Sequence, residues 1–182
     1  MTLAPVIAVV GPSGVGKDSV MAALEAHAPG FQRVRRVITR PDGEDGEDSV
    51  RVTVPEFEQM AESNAFALHW AAHGLNYGIP VGIDQQRCGT KGVLVNLSRS
   101  VLLSAQAVFG ELVVVSLNAD PRVLAQRLST RDRETAAEQA RRLQRADAPL
   151  PEGLNRVIEI DNSGALQQTV DEILARLQPE RT

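Results

Sequence analysis

The sequence predicts an α/β domain with a central parallel sheet, and three observations carry that reading. Val6-Ile7-Ala8-Val9-Val10 is an unbroken apolar run, the pattern of a strand covered on both faces. A glycine-rich turn follows it, and the apolar spacing then becomes helical. In the second half of the chain, apolar runs alternate with helical patterns, as in strands joined by crossover helices.

Taken in order, 5–10 is the first strand, and the helix from Lys17 carries Val20, Leu24 and Ala28 on one stripe before Pro29-Gly30 stops it. Residues 34–38 read as a second strand, 42–48 as an acidic turn, and Val50, Val52 and Val54 alternate as in a half-buried strand. Thr53 and Glu56 have capping-box spacing, and Pro55 suits a first helical turn, so a short helix carrying Phe57, Met60 and Ala61 follows. Residues 66–70 form another strand turning at Gly74, and Pro80 opens a further short helix. Strands at 92–97, 112–117 and 157–160 then alternate with helices at 101–109, 121–129 and 166–177. A polar, Arg-rich joint and a long helix through Leu143 interrupt the series. Residues 39–90 break the rhythm with short pieces, as an insert over the active face does.

With 182 residues, the chain suffices for one domain and one core, and at 3% aromatic content that core is expected to be aliphatic. The net charge of −4 comes with no basic block, so nucleic acid is not an expected partner. Cys88 is the only cysteine, which excludes an intrachain disulfide and fits a reducing compartment. The apolar run at 6–10 is too short to span a membrane and lacks the basic flank of a signal peptide. A cytoplasmic protein with no membrane association is expected; nothing in the sequence points to an oligomeric state.

The chemistry starts at Gly11-Pro12-Ser13-Gly14-Val15-Gly16-Lys17. The spacing Gly-x-x-x-x-Gly-Lys lets successive backbone N–H groups turn inward around a phosphate chain, with the following helix adding its dipole. Lys17 supplies a cation to the β- and γ-phosphates, so ATP is the expected phosphate donor. Mg²⁺ is expected with it, but the Ser or Thr that ordinarily follows the lysine is replaced by Asp18, with a hydroxyl one place later at Ser19. Asp18 either approaches the ion through water or is a first-turn helix acid facing solvent.

The loop resembles that of guanylate kinases. Thr39-Arg40-Pro41, Gly43-Glu44 and Phe57 are similar to that family's acceptor-phosphate segment and the helix behind it. Leu68-His69-Trp70-Ala71, His73-Gly74 and Tyr77-Gly78 sit where its nucleobase flap lies. Arg127-Leu128 through Arg131, Arg133-Glu134 and Arg142-Leu143 resemble its lid. The resemblance implies a three-layer P-loop kinase fold, with an acceptor-binding insert at about 39–90 and a helical lid at about 128–146.

The departures concern guanine. His69 replaces an acid that pairs with the base, Ser98 replaces another, Asp42 stands near the place of a second acceptor-side arginine, and Ile79 replaces a hydroxyl residue. A buried polar site that loses its matched partners rejects its ligand strongly. Lys17-Asp18-Ser19, Ile38-Thr39-Arg40, His69 through Leu75 and Arg131-Asp132-Arg133-Glu134 together resemble the ribose 1,5-bisphosphate phosphokinase family. Those guanylate-kinase relatives pass the γ-phosphate of ATP to a sugar 1-phosphate, giving 5-phosphoribosyl 1-diphosphate, and are associated with phosphonate degradation.

On that resemblance Lys17, Arg131, Arg133 and Arg142 are the catalytic candidates, and residues 11–19 bind ATP. Arg40, with Thr39, is positioned to clamp an acceptor phosphate. Any single lid arginine is as readily a solvated one, and Arg127, four residues before Arg131, suits pairing along its helix face. His69 and His73 are candidate donors to the sugar or its 5-phosphate, or packed polar residues. Tyr77 is a candidate contact, although it and Trp70 fit the flap core more readily. Asn96 and Arg99 face the expected cleft from a strand end. Asn162 and Ser163 follow the last strand near the expected adenine site, where a plain turn explains them equally well. The rival readings are a true guanylate kinase, a kinase for a sugar hydroxyl using Asp42 or Glu44 as base, and a non-catalytic binding scaffold. Retention of the loop lysine and lid arginines weighs against the scaffold.

Overall fold

The computed structural model describes residues 2–41, 48–129 and 149–178. Five strands, β1 (Val6–Val10), β2 (Phe31–Arg33), β7 (Gly92–Asn96), β8 (Leu112–Asn118) and β9 (Val157–Asp161), pair in the order β2-β7-β1-β8-β9, all parallel. Every residue of β1 is buried, as its continuous apolar run requires. Successive side chains leave a strand on opposite faces, and they seed two cores here. Ile7 and Val9 join Val20 and Leu24 of helix α1 (Lys17–His27), and Val170 and Ile173 of the helix at Leu166–Leu177. Val6, Ala8 and Val10 join Leu102 and Ala105 of α4 (Leu102–Phe109). The sheet is therefore the middle of three layers.

A second sheet has the order β4-β3-β6-β5, from β3 (Val37–Ile38), β4 (Val50–Arg51), β5 (Phe66–Ala72) and β6 (Leu75–Pro80). Its strands differ from the expected ones for identifiable reasons. The run at 34–38 is not one strand. Val34 N–H still donates to Leu94 O of the central sheet at 2.9 Å, but Arg36 is buried with its guanidinium 4.8 Å from the Tyr77 ring centre, and β3 belongs to the second sheet. The strand at Val50 stops at Arg51 because Thr53 caps α2 (Val54–Glu62): Thr53 N–H donates to Glu56 Oε2 at 2.7 Å, and Glu56 N–H to Thr53 Oγ1 at 3.3 Å. The Thr53 N–H, and after it the Thr53 hydroxyl, hold the Glu56 carboxyl below its ordinary pKa. Their stabilisation is thus present above the ordinary carboxylate pKa and lost as pH falls through the lowered one.

β5 and β6 form a hairpin whose two turn residues, His73 and Gly74, both have positive φ, the geometry that matches strand twist in a tight turn. Pro80 ends β6 rather than opening a helix; α3 begins at Ile83 (Ile83–Arg87). The helix expected through Leu143 falls outside the described residues. α5 (Pro121–Ser129) follows β8, and the helix at Leu166–Leu177, hereafter α6, closes the described chain. Among the described residues no helix is long and apolar enough to cross a membrane.

Candidate active site

The carboxyl ends of the parallel strands gather the site, as expected of an open α/β sheet. The glycine loop joins the end of β1 to the start of α1. A Cβ on Gly11 would lie 2.7 Å from the Leu117 carbonyl oxygen, so the loop can start there only with glycine. Gly16 is the N-cap of α1 at φ +97°, and a Cβ on it would meet Asn162 Nδ2 at 2.9 Å. No side chain caps α1. Its first N–H groups and dipole thus face the loop, an arrangement suited to phosphate oxygens. Lys17 crosses this mouth and donates from Nζ to Gly11 O at 2.7 Å.

Asp18 and Ser19 are exposed in the first turn of α1. Asp18 and Asn96 border one cleft of about 190 Å³, whose other walls include Arg33, Val34, Arg35 and Asp48. Two of these arginines are paired: Arg33 Nε donates to Glu25 Oε2 at 2.8 Å, and Arg35 Nε to Asp48 Oδ1 at 3.0 Å.

Thr39 fastens the end of β3 to β6. Its Oγ1 accepts from Asn76 N–H at 2.9 Å, and its own N–H donates to Asn76 O at 3.1 Å. Arg40 is half-buried directly after it. Arg99 opens a 3₁₀ turn, Arg99–Val101, just beyond β7 and Asn96. His73 is exposed at the hairpin turn. His69 is exposed on β5 and does not border the cleft; its ring lies 6.2 Å from Phe57 and 5.9 Å from Phe66. Trp70, the next residue, points the other way. It stacks on Tyr77 at 5.4 Å and donates from Nε1 to Ser98 Oγ at 2.9 Å. Tyr77 is only 6% exposed, with Trp70 and Arg36 against its ring. Arg131, Arg133, Arg142, Asp42 and Glu44 lie outside the described residues.

One group behind the loop escaped sequence reasoning. Asn162 Nδ2 donates to Val15 O at 2.7 Å, and Arg127 Nη1 donates to the same oxygen at 3.1 Å. Arg127 Nη2 reaches Asn162 O at 2.8 Å, so this arginine spans from α5 to the loop rather than serving only its own helix face. Thr169 Oγ1 donates to Asn162 Oδ1 at 2.6 Å. Asp161 Oδ1 accepts both the N–H and the hydroxyl of Ser163, which hold its carboxyl below the ordinary range and shape the turn after β9. Locally, Asn162 reads as any turn asparagine; no sequence signal separates it from one.

The AAA domain family matches residues 7–147. The ribose 1,5-bisphosphate phosphokinase PhnN of Ruegeria sp. (strain TM1040) is 56% identical over 97% of this chain and 93% of its own. The protein of that name from Agrobacterium fabrum is 41% identical over 94% of this chain and 95% of its own. Among solved structures, guanylate kinase from Anaplasma phagocytophilum superposes with a TM-score of 0.66 at 18% identity, covering 97% of this chain and 85% of that one. A gluconokinase from Sinorhizobium meliloti 1021 superposes at 0.55 with 22% identity, covering 97% of this chain and 93% of that one. These two fix the fold as that of the P-loop kinases. With the glycine loop, the three layers and relatives matching over nearly all of its length, the chain belongs to the ribose 1,5-bisphosphate phosphokinase family.

Proposed function

We propose that the chain transfers the γ-phosphate of ATP to the 1-phosphate of ribose 1,5-bisphosphate, giving 5-phosphoribosyl 1-diphosphate and ADP. The observation that carries this is the 56% identity to a relative of that name over 97% of the chain. An oxygen of the acceptor phosphate attacks the γ-phosphorus while the bond from that phosphorus to the β-bridging oxygen breaks. The attacking oxygen is already ionised near neutral pH, so no strong general base is needed, and catalysis consists of alignment and charge neutralisation. Residues 11–19 bind the donor, with Lys17 on its β- and γ-phosphates. Thr39 and Arg40 hold the acceptor phosphate, with Asn96, Arg99, His69, His73 and Tyr77 along the acceptor side. Residues 39–90 are the acceptor insert, and 128–146 the lid, whose Arg131, Arg133 and Arg142 neutralise the moving phosphoryl group and exclude water.

Mg²⁺ fits the donor end. Among the described residues no group of three or more His, Cys, Asp or Glu side chains is placed to enclose an ion. Magnesium keeps several waters and takes phosphate oxygens as ligands, so one or two protein oxygens suffice. The exposed Asp18 carboxylate and Ser19 hydroxyl beside the loop supply that number. The ion would neutralise charge on the donor phosphates. The setting is the cytoplasm, where the exposed Cys88 thiol stays reduced, and the pathway is phosphonate degradation.

The acceptor is tested by following ADP release with ATP, Mg²⁺ and a panel of phosphorylated acceptors. GMP should be turned over at least about thirtyfold less efficiently than ribose 1,5-bisphosphate. Guanylate kinases present acids to guanine at the places of His69 and Ser98, and here the Ser98 hydroxyl already accepts from Trp70. Two missing matched hydrogen bonds at about 1–3 kcal/mol each correspond to roughly that factor or more. Comparable turnover of the two acceptors would make the chain a guanylate kinase instead.

A further inference from the structure

The peptide between Val15 and Gly16 is gripped from behind. Its carbonyl oxygen takes two donors, Asn162 Nδ2 at 2.7 Å and Arg127 Nη1 at 3.1 Å, both coming from the side of β9 and α5. In a trans peptide the carbonyl and the following N–H point in opposite directions. Holding Val15 O toward Asn162 and Arg127 therefore turns Gly16 N–H away from them. We infer that Thr169, Asn162 and Arg127 are positioning residues for nucleotide binding: they aim the Gly16 N–H at the donor phosphates without touching the nucleotide themselves through this contact. The inference rests on the reading of residues 11–19 as the donor site.

The group is directional. Asn162 is 4% exposed and Thr169 2% exposed, so each polar atom must be satisfied within the protein. If the Asn162 amide were flipped, its oxygen would face Val15 O, acceptor against acceptor. The Val15 carbonyl, which can only accept, selects the orientation that aims Nδ2 at it, and the Thr169 hydroxyl, donating to Asn162 Oδ1 at 2.6 Å, holds the amide in that orientation. Arg127 fixes the same asparagine by its main chain, through Nη2 to Asn162 O at 2.8 Å. Asn162 N–H donates in turn to Asn118 O at the end of β8 at 2.7 Å, which seats the whole group on the sheet. The close approach also explains why position 16 admits no side chain, since a Cβ there would displace Asn162 Nδ2.

The test titrates Mg²⁺-ADP onto the full chain by calorimetry, with melting temperature measured alongside. Thr169→Val keeps the shape and removes the hydroxyl. It should weaken ADP about five- to tenfold, the effect of one misdirected buried hydrogen bond, and shift the Gly16 amide resonance in the ligand-free protein. Thr169→Ser should recover most of the affinity. An ADP dissociation constant for Thr169→Val within about twofold of the parent, even at a lowered melting temperature, would reduce the group to a structural tie and overturn the inference. If Thr169→Val does not fold, Arg127→Lys decides, because one ammonium cannot bridge both carbonyls as the guanidinium fork does. Weakened ADP binding then supports the inference, and unchanged binding overturns it. Lys17→Ala measured in the same way separates the two readings. If it binds ADP as the parent does, the donor-site assignment has failed; if it alone is impaired, only the positioning role has.

Discussion

Lys17→Ala should lower phosphoryl transfer by at least about two to three orders of magnitude, roughly what removing one preorganised donor from a developing negative charge costs. The side chain is placed for that work. Its ammonium lies across the mouth of the glycine loop, on Gly11 O at 2.7 Å, instead of being packed in either core. When phosphates enter, they compete for a cation already at the entrance. The fold should tolerate the change. Within the protein, Lys17→Ala removes the partly buried hydrogen bond to Gly11 O. Such a bond contributes about 1 kcal/mol, which in a chain of this size shifts the melting temperature by about 2–4 °C. Turnover within a few-fold of the parent would remove Lys17, and with it the donor-site assignment.

Arg40→Ala should raise the Michaelis constant for ribose 1,5-bisphosphate by about ten- to a hundredfold and leave that for ATP within about twofold. A charged hydrogen bond contributes roughly 1.5–3 kcal/mol, which is that range of affinity. The asymmetry follows from position. Arg40 continues the end of β3, which Thr39 fastens to β6 through both bonds to Asn76, so it belongs to the second sheet and not to the loop after β1. An equal rise for both substrates would assign Arg40 to the closed state in general. No change for either would make it an ordinary surface arginine.

What could be read in advance, and what could not, follows from how far apart the deciding residues are. The strand, glycine loop and helix at 6–27 depend on local spacing and a local change of period, and the closing helix at Leu166–Leu177 is found over the expected residues. The capping box at Thr53 and Glu56 is likewise written within one helical turn. The break between β2 and β3 is not local: Val-Arg-Arg-Val-Ile reads as one strand until Arg36 is seen over Tyr77, a residue of another hairpin. Strand alternation also separates neighbours that the sequence groups together, sending His69 toward Phe57 and Trp70 toward Ser98. The grip on Val15 was least legible. Asn162 stands 147 residues away from its partner, and only the parallel order of β1, β8 and β9 brings them together.

The hydrogen bond between Trp70 and Ser98 has one more consequence. Trp70 is the chain's single tryptophan and Tyr77 its single tyrosine, and the two are stacked on the second sheet while the indole N–H is tied to a residue just beyond β7 of the central one. The intrinsic fluorescence of the unmodified protein therefore has one emitter, with its only tyrosine donor in contact with it, seated across the junction of the two sheets. Any movement of the acceptor side against the sheet alters the polarity around that indole and its hydrogen bond. The wild-type chain thus carries its own optical gauge of acceptor-side motion, readable by stopped flow without a label.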